Sequence, residues 1–178
     1  DIVKRTFENF LTNHQNLNNI KCLDFACGTG RFYFSAVSIL EKKYSFSLKD
    51  IVCNKLYAVD IDRVALSILR CKIIALFSII DNEIISAIKL NIINRNILIH
   101  GNNHLNEFDD IFDNSIDFKD VLIDGGFNLV FSNPPYYLLK VNIKNDVLFN
   151  EFYSKLKDKI KREINYFKKS GLYEFSNQ

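Results

Sequence analysis

Two short strings in this chain bring together residue types that could do chemistry: Asp24-Phe25-Ala26-Cys27-Gly28-Thr29-Gly30-Arg31-Phe32, and about a hundred residues later Asn133-Pro134-Pro135-Tyr136. Glycines placed after a strand let the backbone come close to a ligand, and a helix that starts behind them offers free N–H groups to an anionic group. A phosphate, a pyrophosphate or a carboxylate would each suit such a cradle. Gly28-x-Gly30 lacks the third glycine of a dinucleotide fingerprint, because position 33 is Tyr33. The second string has the makings of a clamp. Consecutive prolines fix two φ angles, offer no N–H and push Asn133 out of the helical region. The side-chain oxygen of Asn133 and the backbone carbonyl of Pro134 can then accept both hydrogens of one planar NH₂ group. That draws the nitrogen lone pair out of conjugation and aims it at an electrophile. Pro135 stiffens the ledge, and Tyr136 supplies a flat face for stacking.

Asp60 is a third candidate, set at the end of the apolar run Leu56-Tyr57-Ala58-Val59. An acid at that place can take two ribose hydroxyls at once. Asp62 competes for the role, but its spacing suits the cap of a helix starting near Arg63. Plainer readings satisfy the same residues: a glycine turn with no ligand, two acids serving as helix caps, and an ordinary proline turn. His100 and His104 read as core or loop histidines, not as a catalytic base.

The elements that must position these residues follow from periodicity. Ile2, Phe7, Phe10, Leu11 and Leu17 suggest a helix that ends in an Asn-rich turn, and residues 20–25 form a short apolar strand running into the glycines. Residues 31–43 have helical spacing, residues 42–54 read as a polar connector, and residues 56–59 as a second strand. Apolar positions from Val64 to Phe77 predict a long helix, and Asp81 caps another carrying Ile84, Ile85, Ile88 and Ile92. Residues 96–100 are expected to be the third strand, closed by Gly101-Asn102-Asn103. Residues 107–124 read as an acidic loop with a turn of helix or a minor strand. Residues 127–131 make a fourth strand that delivers Asn133 at its carboxyl end. Leu148, Phe152, Leu156, Ile160, Ile164 and Phe167 mark a C-terminal amphipathic helix over 146–170. Strands alternating with helices predict an α/β fold with a Rossmann-like, doubly wound, mostly parallel sheet, in which ligands bind beyond the carboxyl ends of the strands.

Composition bounds the rest. A chain of 178 residues with 48% apolar content can bury one core, so one domain is expected. A net charge of +2 does not by itself announce a polyanion binder, although residues 140–169 hold eight lysines and Arg162 against four acids. That stretch could track a phosphate backbone or be a solvated helix face. Cys22, Cys27, Cys53 and Cys71 form no CxxC pair, so reduced thiols are expected and no metal site is assigned. No long apolar run or export signal is apparent, which leads to the expectation of a cytoplasmic protein with no membrane partner. The chain holds no methionine and is therefore expected to be part of a longer polypeptide.

Asp24 to Phe32, Asp60, Gly101-Asn102 and Phe127 to Tyr136 resemble the class I S-adenosylmethionine-dependent methyltransferases, specifically the DNA adenine amino-methyltransferases of bacterial restriction–modification systems. The cofactor string comes first, with no room for a recognition domain before the second string. This order looks like the gamma arrangement of type I modification subunits and fused type IIG enzymes. Leu56 to Asp62 and Ile99 to Asn102 look closest to the type IIG group. The resemblance spans about residues 20–140 and implies a partial catalytic domain over 1–178, with a cofactor half at 20–105 and a substrate clamp at 127–140. It implies S-adenosylmethionine as cofactor, with Asp24, Ala26, Cys27, Gly28 and Gly30 lining its methionine part. Asp60 would hold the ribose, Ile61 would pack on the adenine, and Asn102 would face that ring. Asn133, Pro134, Pro135 and Tyr136 would hold the target base. The implied partner is double-stranded DNA with a flipped adenine, with a target recognition region and an endonuclease domain as further parts of a parent chain. The family's N-terminal cofactor motif is not recognisable before residue 20, and its later motifs are missing. Two other functions fit the same clamp: methylation of a protein glutamine or a ribosomal RNA guanine, and a cofactor-binding module without turnover.

Overall fold

The computed structural model describes residues 2–13, 17–100, 111–112, 117–133, 154 and 158. Helix α1 (Ile2–Asn13) buries Val3 and Phe7 and leaves Ile2 exposed, so the inward face is narrower than the apolar spacing suggested. Strand β1 (Cys22–Phe25) leads through the glycine turn into α2 (Arg31–Tyr44), which buries Tyr33, Ala36, Val37 and Leu40. The stretch expected to be a polar connector is structured instead. It forms a single turn α3 (Leu48–Asp50) and a π-helical turn, Ile51–Lys55, whose Ile51 and Val52 enter the core. Lys55 is buried as well. Its ammonium donates to the Asn18 carbonyl at 2.6 Å, pairs with Asp50 at 3.2 Å and lies over the Phe46 ring. A lysine satisfied in this way can sit inside without a large desolvation cost.

Strand β2 (Leu56–Asp60) follows, then α4 (Arg63–Ile74), capped as expected by Asp62, whose carboxylate accepts from the backbone N–H groups of Val64 and Ala65. Helix α5 (Asn82–Asn91) is capped by Asp81 in the same manner. The third strand of the sheet is β3 (Ile92–Asn94), which begins where the sequence pattern had continued the helix through Ile92. The predicted strand at 96–100 does exist as β4 (Asn96–His100), but it pairs with β5 (Ile111–Phe112) in a separate two-stranded sheet. Helix α6 (Lys119–Ile123) and strand β6 (Leu129–Phe131) complete the described elements. The predicted C-terminal helix lies outside the described residues, apart from Ser154 and Asp158, which are helical and exposed.

The main sheet has the order β3-β2-β1-β6, and every pair in it is parallel. Alternate strand residues face two layers. Cys22, Leu56, Ala58, Ile92, Leu129 and Phe131 pack against α1, α2, α4 and α5 in the larger core. Leu23, Tyr57 and Val59 face the other way, onto Phe118 and Val121 at α6. A central parallel strand covered on both faces has to be apolar on both, which β2 is until Asp60.

Gly30 shows how tightly the turn is packed. Its φ of +89° is left-handed, and an added Cβ would collide with Leu69 of α4 and come within 3.1 Å of Phe34. Gly28 has φ +52° but nothing within 4 Å of that position. Gly30→Ala is therefore expected to cost about 3 kcal/mol from strain plus overpacking. Gly28→Ala carries the strain alone, about 1 kcal/mol. Urea unfolding midpoints of the two variants measure the difference.

Candidate functional site

The carboxyl ends of β1, β2 and β6 meet at one edge of the sheet. Register pairs Phe25 with Val59 and Asp24 with Phe131, so the glycine turn, the acid of β2 and the exit of β6 lie side by side. Two features lock β1 to β6. At the entry, Lys21 N–H donates to the Asn128 side-chain oxygen at 2.7 Å and Asn128 N–H donates to the Lys21 carbonyl at 2.8 Å. At the exit, the Ser132 hydroxyl donates to the Phe25 carbonyl.

The glycine turn is anchored on β2. Ala26 N–H and Cys27 N–H both donate to the Val59 carbonyl, at 2.9 and 3.0 Å. Ala26 adopts φ +69°, a left-handed conformation costly for a residue with a Cβ, and this shared acceptor helps to hold it there. Gly28 N–H then donates to Asp60 Oδ2 at 2.6 Å. The other oxygen, Oδ1, accepts from the Asp62 N–H at 2.9 Å. Each oxygen of Asp60 thus accepts one backbone N–H and keeps a lone pair for a further donor. Beside it Ile61 exposes its side chain, 59% accessible, at the same edge.

Asp24 is the outlier. The residue is 1% exposed, and neither carboxylate oxygen has a hydrogen bond of good geometry. Burial pushes its pKa from 3.8 up to about 7; the Tyr33 backbone N–H opposes the shift and the Asp60 charge adds to it. A carboxylate left unpaired in this way is costly, so the site suits a ligand that brings a positive charge or hydrogen-bond donors. Cys27, in the same turn, has its thiol pushed upward by burial first and by the charges of Asp24 and Asp60 next, which argues against a thiolate nucleophile.

Of the residues singled out from sequence, Asp24, Ala26, Cys27, Gly28, Gly30, Asp60 and Ile61 gather around the β1–β2 edge. Gly30 is buried against α4, whereas Gly28 opens outward. Asn133 is exposed two residues beyond β6, on the β1 side opposite β2. Asn102, Pro134, Pro135 and Tyr136 lie outside the described residues. One residue went unnoticed in sequence: Asn94, at the end of β3, donates from its amide to the Asp60 and Ile61 carbonyls at 2.9 and 2.8 Å. Its setting, Asn94-Arg95-Asn96, has the look of a turn, and only the true position of β3 would have revealed it.

The raised pKa of Asp24 makes a stability prediction. The folded state holds a proton that the unfolded chain releases near pH 4, so this stabilisation is complete below that pH and is lost as pH rises through about 7. Asp24→Asn is expected to flatten that fall, so that the variant gains on wild type by about 2–4 kcal/mol at most between pH 4 and 8. Urea unfolding across that range checks it, and parallel pH curves for the two proteins would refute it.

No helix among the described residues is long and apolar enough to cross a membrane. No curated protein sequence matches the chain. A family model, the Eco57I restriction-modification methylase, matches residues 54–175, a stretch that takes in β2, Asp60 and Asn133 to Tyr136 and begins after the glycine turn. The match covers more than half of the sequence, and with the parallel α/β sheet it leads to one conclusion: the chain belongs to the Eco57I restriction-modification methylase family.

Proposed function

We propose that this chain carries out S-adenosylmethionine-dependent methylation of the exocyclic amine of adenine in DNA, as the catalytic part of a restriction–modification enzyme. The observation that carries the reading is the pairing of β1 between β2 and β6, with Asp24, Gly28 and Asp60 at the same sheet edge as Asn133. Family membership supports DNA as the substrate over a protein glutamine or ribosomal RNA.

The residues around β1 and β2 fit the cofactor. Asp24 supplies an unpartnered buried carboxylate suited to its positively charged methionine end, Gly28 leaves open space for close approach, and Asp60 keeps acceptor capacity for two ribose hydroxyls. Ile61 supplies an apolar surface for the adenine ring, and Asn102 follows in the chain as a polar partner for the same ring. When bound, S-adenosylmethionine supplies an electrophilic methyl group on a sulfonium sulfur.

On the substrate side, the Asn133 oxygen and the Pro134 carbonyl accept the two amine hydrogens and orient the nitrogen lone pair. The same oxygens stabilise the positive charge that grows on nitrogen, and the surplus proton passes to water. Pro135 keeps the ledge rigid, and Tyr136 stacks on a base that has left the duplex, offsetting part of the unstacking cost. A target recognition region elsewhere in the parent polypeptide would select the site.

The test separates the two halves. Asn133→Ala is expected to reduce transfer of methyl groups to unmethylated duplex DNA by about a hundredfold or more, while affinity for S-adenosylmethionine stays within about twofold. Asp60→Ala is expected to weaken cofactor affinity by about tenfold. Calorimetric titration and mass spectrometry of the digested DNA for N6-methyladenine read both quantities. The opposite pattern would overturn the roles. Binding with no transfer by the wild-type full-length protein would leave a cofactor-binding module.

A further inference from the structure

We propose that Asn94 is a positioning residue of the cofactor site, holding the Asp60–Ile61 backbone so that the Asp60 carboxylate and the Ile61 side chain face the ligand; this rests on the reading of that edge as the S-adenosylmethionine site. Asn94 is the register partner of Asp60 on the neighbouring strand. Its amide nitrogen donates to both the Asp60 and Ile61 carbonyls, at 2.9 and 2.8 Å, and its oxygen accepts from Arg63 Nε at 2.8 Å. The orientation of the amide is determined by its partners. Two carbonyls demand the NH₂ end, and a guanidinium N–H demands the oxygen.

The Asp60 carbonyl also accepts from the Arg95 backbone N–H at 3.1 Å, so the sheet ladder holds it even without Asn94. Asn94 is the bond that the structure gives the Ile61 carbonyl, which lies one residue past the end of β2. Without it, the peptide linking Ile61 to Asp62 gains freedom to rotate. That peptide carries the Asp62 N–H that binds Asp60 Oδ1, so its rotation moves the carboxylate as well. Arg63, the first residue of α4, ties the amide to the helix whose N-terminus follows the turn. Asn94 thus links three elements at the point where two ligand-facing side chains emerge. It needs no contact with the ligand to act.

The experiment measures S-adenosylmethionine affinity and steady-state DNA methylation for the full chain as wild type, Asn94→Ala, Asp60→Ala and the double variant. Asn94→Ala is expected to raise the Kd and KM for S-adenosylmethionine about tenfold with kcat within about twofold. In the Asp60→Ala background the same substitution is expected to change the Kd by clearly less than tenfold, about threefold, because the part that acts through Asp60 is already lost and only the part through Ile61 remains. Asn94→Asp keeps the side-chain shape and the acceptor for Arg63 but removes both donors; it is expected to match Asn94→Ala and serves as the second variant should alanine impair folding. Full additivity in the double variant, or a loss confined to kcat, would overturn the proposal. Unchanged affinity in both Asn94 variants beside a wild type that binds the cofactor would sink this proposal alone. A wild type that does not bind S-adenosylmethionine would remove the cofactor reading and this one with it.

Discussion

Parallel pairing of β1 with β2 on one side and β6 on the other makes the chain leave the sheet three times at the same edge. Parallel strands cannot be joined by tight hairpins, so each return needs a crossover, and here α2 with its following turns and α4 with α5 supply two of them. The crossovers cover one face and bury Leu40, Leu66, Leu69 and Ile73 completely. This rigid layer allows the exposed edge to carry strained or unsatisfied groups, because their cost is spread over a large core. The left-handed Ala26, the buried Asp24 with no well-formed hydrogen bond, and Gly28 and Gly30, both with positive φ, all lie within seven residues of one another on that edge.

The edge is held by bonds that cross between strands. Val59 accepts two N–H groups from the turn after β1, Asp60 accepts one from Gly28, and Ser132 binds back to Phe25. Each of these groups comes from a residue at or just beyond a strand end, where the regular ladder runs out and carbonyls need other partners. The polar residues there therefore have two duties. They finish the backbone accounting of the sheet, and they leave side-chain capacity directed outward. Asp60 illustrates both, with two backbone N–H groups satisfied and further lone pairs remaining.

How much of this was legible in the sequence depended on the signal each residue gives. The strand-glycine-helix opening was readable because an apolar run followed by glycines has few other solutions, and the caps Asp62 and Asp81 were readable because an acid before an apolar periodic stretch has one common use. The boundary at Ile92 was not. An isoleucine four residues after Ile88 fits a helix face as well as a strand start, and the sheet decided by pairing it with Ala58. The π-helical turn at Ile51–Lys55 was missed because Lys55 and Asn54 look solvated, whereas burial of Lys55 depends on three partners distant or ambiguous in sequence. Within the candidate site, residue identity singled out Asp24 and Asp60, which the fold brings to one edge, but could not say that one carboxylate is satisfied and the other is not. Nor could it separate Gly28, open to the outside, from Gly30, wedged against Leu69. Both distinctions arise from packing across the sheet.

Asp24 and Asp60 share one edge, and their environments divide the work between them. Asp60 is held by two backbone N–H groups, while Asp24 is buried with no well-formed hydrogen bond and is driven towards its neutral form. A cationic ligand close to Asp24 would lower that carboxyl back into its ordinary range, so binding near neutral pH would release a proton and gain strength as pH rises through about 7. A neutral ligand that brought no hydrogen-bond donor would gain nothing from the acid and would leave its desolvation cost in place. The same buried group that lowers the stability of the ligand-free fold above pH 7 therefore discriminates by charge.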